Sequence, residues 1–169
     1  MTVLALSVGS NINATQNIRV ALAELNLEFG KTVCSTVFES EAIGFKGDNF
    51  LNLVLLVETD KELSGIASFL KQLEDNLGRD RSQEKFSGRP IDVDILLYGN
   101  DNGLSCSIDL PRPEITKNAF VLQPLAELLP NQVHSPTGKT FAQLWNEYDK
   151  SSQKLWPIDF DWKDVCVVS

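Results

Sequence analysis

The chain has 169 residues, 43% of them hydrophobic, and a formal net charge of −8. That length and composition suffice to bury one sizeable core and are most economically a single domain spanning 1–169. The acidic balance excludes a broad cationic surface of the kind that grips a nucleic-acid backbone, so any anion site has to be local.

In chain order, Val3 to Val8 is an apolar run that predicts a buried strand, closed by the turn-formers Gly9-Ser10-Asn11. A helix follows, with Asn13 and Gln16 spaced as a capping box and Ile18, Ala21, Leu22, Leu25 and Phe29 at helical intervals. Thr32 to Phe38 predicts a second strand and Phe50 to Glu58 a third, strongly apolar one, interrupted by the single amide of Asn52. The segment between them, Gly44-Phe45-Lys46-Gly47-Asp48-Asn49, has the glycines and turn-formers of a mobile lid or substrate loop. Thr59-x-x-Glu62 is spaced as a second capping box. Leu63, Ile66, Ala67, Leu70, Leu73 and Leu77 then define an amphipathic helix stopped by Gly78, with Glu74 expected on its solvated face.

The densest chemistry comes next. Arg79, Arg81, Lys85 and Arg89 place four of the chain's 15 basic residues in 11 positions, where an even spread would place about one. From Ile91 onward, Ile91, Val93 and Ile95 alternate with Asp92 and Asp94, so a strand here turns both carboxylates to one face. Adjacent carboxylates can share one Mg²⁺ or bridge two, and arginine grips phosphate oxygens bidentately. Paired acids beside a cationic cluster point to metal and phosphate handled together.

Gly99 to Gly103 predicts a turn, Leu104 to Leu110 an edge strand broken by Pro111 and Pro113, and Ala119 to Leu129 a short helix or turn. His134, the one histidine, is expected at the surface. Phe141, Leu144, Trp145 and Tyr148 could form one face of a last helix. The tail 151–169 carries Trp156, Phe160 and Trp162 and is expected to fold back on the domain or to make a dimer contact. Cys34, Cys106 and Cys166 are odd in number and lack a C-x-x-C pair, which predicts idle thiols rather than a disulfide framework or zinc site. Apolar runs fall far short of about 20 residues, so the expectation is a soluble cytoplasmic protein without nucleic-acid or membrane partners. The order strand, helix, strand, strand, helix, strand predicts an α+β, ferredoxin-like antiparallel sheet with helices packed on it.

The segment Gly88-Arg89-Pro90-Ile91-Asp92-Val93-Asp94-Ile95-Leu96 resembles the signature of the 6-hydroxymethyl-7,8-dihydropterin pyrophosphokinase family of folate biosynthesis. The likeness extends through Gly9-Ser10-Asn11, Phe50-Leu51-Asn52, Leu77-Gly78-Arg79-x-Arg81 and Ala119-Phe120-Val121-Leu122-x-Pro124-Leu125, from Val3 to about Pro136. It implies transfer of diphosphate from ATP to a pterin hydroxymethyl group with release of AMP. It further implies two Mg²⁺ ions on Asp92 and Asp94, phosphate contacts from Arg79, Arg81 and Arg89, and an acid near the site at Glu74; Lys85 of the same cationic cluster and Arg112 are the further candidates for nucleotide contact. Ser40, Ile43, Phe50, Asn52 and Phe120 fall at its pterin-contacting positions. The chain departs from the pattern with Arg112 where a histidine is usual and Asn118 where an arginine is usual. A paralogue with weakened or altered activity, or a non-catalytic metal- or anion-binding module, is the alternative. The expected partners are the two small substrates, with the chain a monomer or weak dimer.

Overall fold

The structure is a computed structural model that describes residues 1–42, 47–78, 88–163 and 165, with the backbone alone at 167 and 168. Its centre is a seven-stranded sheet. Strand β1 (Thr2–Ser10) lies between β4 (Phe50–Thr59) and β5 (Asp92–Tyr98), antiparallel to both. The far side of β4 is shared by two short strands, β2 (Val33–Cys34) and β3 (Val37–Ser40). The predicted second strand is therefore broken in two. At the break, Ser35 N–H donates to Val54 O at 2.8 Å and Ser35 Oγ accepts from Val54 N–H at 3.0 Å, so its side chain takes over a ladder bond.

Period two divides the strands cleanly. Leu4, Leu6 and Val8 of β1, Leu53, Leu55 and Val57 of β4, and Val93 and Ile95 of β5 face a core completed by α1 (Ala14–Phe29) and α2 (Leu63–Asn76). The alternate residues, Ala5, Val54 and Leu96 among them, face a second core under α3 (Ala119–Leu128) and α4 (Phe141–Glu147). Helices thus cover both faces, but α3 covers only part of its own, and the uncovered part is where Asp92 and Asp94 stand. The remaining strands are a small hairpin, β6 (Val133–His134) with β7 (Lys139–Thr140), and two at the sheet margin, β8 (Leu155–Ile158) on β3 and β9 (Val167–Val168), parallel to β2.

Several local expectations are corrected. Neither predicted capping box forms: Asn13 is left-handed with no capping bond, and Thr59 belongs to β4, where its hydroxyl accepts from Lys61 N–H instead. The box that does form is Thr140 with Gln143, at the start of α4. Leu104–Cys106 is a 3-10 turn and no strand runs from 104 to 110, because Gly103 and Ser107 take left-handed backbone on either side. His134 is 5% exposed, with Nδ1 2.9 Å from Thr137 Oγ1 and its ring against Phe141. Burial lowers its pKa from the ordinary 6.5. Cys34 is disulfide-bonded whereas Cys106 is free, so the idle-thiol expectation fails at Cys34.

Candidate active site

A cavity of about 350 Å³ opens on the uncovered sheet face, between the ends of β1, β4 and β5 and the start of α3. Its floor is Ser7, Gly9, Asp92 and Asp94, one wall is Ser40, Phe50 and Asn52, and the opposite wall is Arg112, Glu114, Asn118 and Phe120. Register explains the floor: Asp92 pairs with Gly9 and Asp94 with Ser7, so each acid stands beside a small residue that leaves room above it.

The entry to β5 is clamped by the first turn of the chain. Asn11 Oδ1 accepts from Arg89 N–H at 2.6 Å, Asn11 N–H donates to Arg89 O at 3.1 Å, and Ser10 Oγ–H donates to Pro90 O. Gly9-Ser10-Asn11 is thus both a strand-to-helix turn and the fixture that sets where Arg89 and Asp92 lie. Arg89 Nη1 then donates to both Asp92 oxygens, at 3.1 and 3.0 Å. Asp94 is approached by Arg112 Nη2 at 3.6 Å, while Arg112 Nε reaches Glu114 at 2.9 Å. Both carboxylates therefore have an arginine at hand and remain accessible from the cavity, an arrangement that balances charge before any ligand arrives.

Of the five residues at the pterin positions, Ser40, Phe50, Asn52 and Phe120 line this one cavity. Asn52 is buried, and its Nδ2 donates to Ser40 Oγ at 2.9 Å and Phe38 O at 3.4 Å. The backbone acceptor fixes the amide orientation, which turns Oδ1 toward Gly9 and the cavity. Phe50 and Phe120 add ring surfaces from opposite walls. Glu74 is not on a solvated face: it is 8% exposed and accepts from Val93 N–H at 3.2 Å, tying α2 to β5. It borders a smaller cleft of about 240 Å³ with Leu70, Lys71 and Ile108, which meets the main cavity at Asp94 and Arg112. Ile43, Arg79, Arg81 and Lys85, with residues 44–46 of the predicted substrate loop and most of the cationic segment, lie outside the described residues.

The donor set can be tested against Mg²⁺. Among the described residues no group of three or more His, Cys, Asp or Glu could hold a metal by itself. Two carboxylates on one strand face suit Mg²⁺ that arrives with a polyphosphate, since this ion keeps waters and takes one or two carboxylates plus substrate phosphates. The fit is to metal-bound nucleotide rather than to a resident ion.

Paired acids flanked by arginines, beside an aromatic-walled cavity on an antiparallel sheet, define a class of phosphoryl-transferring enzyme that needs little protein acid–base chemistry. Residues 5–130 match the profile of 7,8-dihydro-6-hydroxymethylpterin-pyrophosphokinase, and the chain belongs to that family, the pyrophosphokinases of folate synthesis. A relative from Synechocystis sp., named 2-amino-4-hydroxy-6-hydroxymethyldihydropteridine pyrophosphokinase, is 31% identical over 156 residues, covering 90% of this chain and 78% of that protein. Another of the same name from Aquifex aeolicus is 36% identical over 138 residues, covering 79% and 84%. The fold is similar to that of Plasmodium falciparum HPPK-DHPS solved with pterin and p-hydroxybenzoate, with a TM-score of 0.65 at 15% identity over 89% of this chain. This chain spans 43% of that longer one.

Proposed function

We propose that the chain transfers the terminal diphosphate of ATP to the hydroxymethyl oxygen of 6-hydroxymethyl-7,8-dihydropterin and releases AMP, acting as one domain over 1–169. The observation that carries the reading is the convergence of Asp92, Asp94, Arg89 and Arg112 on the floor and wall of the cavity that also holds Asn52, Phe50 and Phe120. Phe50 and Phe120 provide flat surfaces for a heteroaromatic ring, and Asn52 Oδ1, oriented by the Phe38 carbonyl, accepts from a ring N–H. Arg89 and Arg112 exchange their carboxylate partners for phosphate oxygens when the nucleotide enters. The smaller cleft beside Glu74, which opens onto Asp94 and Arg112, would take the rest of the nucleotide. Asp92 and Asp94 would hold two Mg²⁺ ions, which when bound neutralise the triphosphate and favour the alcohol as nucleophile.

With the reactants held in line, positioning and charge compensation supply the rate, and no residue of the cavity is required as a general base. Arg79, Arg81 and Lys85 are proposed as further phosphate contacts. The deciding experiment is product analysis with ATP, Mg²⁺ and 6-hydroxymethyl-7,8-dihydropterin. Stoichiometric AMP and pterin diphosphate support the reading; ADP, or no pterin-dependent turnover, rejects it.

A further inference from the structure

We propose that Gln153, beyond the family-matched segment 5–130, is a positioning residue: it holds the Asn118 amide with its nitrogen turned to the cavity, as donor to a phosphate oxygen of the nucleotide. The inference rests on the proposed function and adds a residue and a region to it.

Residues 148–158 bridge the two cavity walls. At one end β8 pairs with β3 as far as Leu155 opposite Ser40, and Trp156 Nε1 donates to Glu39 Oε1 at 3.3 Å. At the other, Tyr148 Oη donates to Lys117 O at 2.8 Å, its ring stacked on Trp145. Between them Gln153 meets the start of α3. The Ala119 N–H can only donate, so the Gln153 atom 2.8 Å away is Oε1. That leaves Nε2 facing Asn118 at 3.1 Å and Lys117 O at 3.4 Å. Because Nε2 can only donate, the Asn118 atom it meets is Oδ1.

One backbone N–H therefore sets both amides. The other half of Asn118, Nδ2 with its two hydrogens, makes no hydrogen bond to the described residues, and Asn118 lines the cavity in company with Arg112. This wall thus offers a neutral donor at the position where the resemblance leads one to expect an arginine. A primary amide donates readily to phosphate oxygen, but only if its nitrogen is the end presented. Gln153 decides which end that is.

The test compares Gln153→Ala, Gln153→Glu, Asn118→Ala and the Gln153→Ala/Asn118→Ala double variant. AMP release gives kcat and both KM values. In parallel, the Asn118 side-chain resonances are followed by ¹⁵N NMR while Mg²⁺ and α,β-methylene ATP are added. Gln153→Ala should raise the ATP KM about three- to tenfold, the range of one neutral hydrogen bond, with kcat and the pterin KM within about twofold. Asn118→Ala should match it, and the double variant should be no worse. Gln153→Glu keeps the acceptor for Ala119 but pulls the Asn118 nitrogen away from the cavity, so it should be at least as impaired while its helix start stays intact. Asn118→Arg, which needs no orienting partner, should restore the ATP KM of Gln153→Ala. The Asn118 amide should shift on analogue addition in the wild-type protein and not in Gln153→Glu. An unchanged ATP KM, a rise confined to the pterin, or full additivity of the two alanine variants overturns the inference. Should the wild-type protein release no AMP, the proposed function falls and the NMR result alone decides: a Gln153-dependent shift upholds the inference, and its absence rejects it.

Discussion

Gly9 lies directly across the β1–β4 pair from Asn52, so close that a Cβ at position 9 would stand 3.3 Å from Asn52 Oδ1. The strand needs no glycine for its backbone here; the amide needs the space. Gly9→Ala should displace Asn52 Oδ1, the oxygen proposed to accept from the pterin, while leaving the Ser40 bond to move with it. A weakened hydrogen bond of about 1 kcal/mol predicts a pterin KM raised about fivefold, with the ATP KM unchanged. Equal effects on both substrates would assign Gly9 to the floor of the nucleotide site instead.

The carboxylates carry a larger prediction. Asp92→Ala or Asp94→Ala should each lower turnover by more than about two orders of magnitude, with near-native thermal unfolding, since both side chains stand on the cavity face rather than in either core. Excess Mg²⁺ should not rescue them. Near-normal turnover by purified Asp94→Ala protein would leave the paired-acid reading without support.

Arg112 and Asn118 mark where this chain departs from the pattern it resembles. Arg112 already spans Asp94 and Glu114, so Arg112→Ala should weaken Mg·ATP binding measured by titration calorimetry with a non-hydrolysable analogue. Asn118→Arg should tighten it about tenfold, because a charge-assisted bond is worth about 1.5–3 kcal/mol and about 1.4 kcal/mol is a factor of ten. If neither change moves the affinity, this wall does not hold nucleotide.

His134 predicts a pH dependence of stability. Burial depresses its pKa in the folded protein below 6.5, so folding favours the neutral ring. Its contribution is complete above the unfolded value and is lost as pH falls through the folded one. Urea unfolding at pH 7.5 and 5.5 should show a larger fall for the wild-type protein than for His134→Asn, which has no proton to take up. Parallel declines would mean that other groups dominate this range.

The central sheet and both its neighbouring helices were legible because β1, β4, α2 and β5 each keep one periodicity over seven or more residues. Asp92 and Asp94 were legible for the same reason: alternation assigns a face without any tertiary knowledge. What the sequence hid was set by partners far along the chain. Glu74 looks solvated by helical spacing, yet the unpaired N–H of Val93 draws it inward. His134 looks like a turn residue until Phe141 packs on it. Thr140-x-x-Gln143 has the spacing of a capping box as plainly as Thr59-x-x-Glu62, but at Thr59 the long β4 strand claims the cap position and wins. Gln153 carries no local signal at all, because its significance lies in residues more than thirty positions away.

The tie between α2 and β5 also bears on how the protein behaves in crowded solution. Among the described residues no strand lies outside β5 in the sheet order, and an open strand margin is a template on which another chain can build. Here the Val93 N–H is taken by Glu74 and the Leu96 carbonyl by the Arg112 N–H, so the margin offers few free rungs. A carboxylate at that margin also repels the like-charged edge of a second copy. Glu74→Ala should therefore show concentration-dependent self-association by light scattering before it shows any change in helix content, and a fully monodisperse variant would place the guard elsewhere.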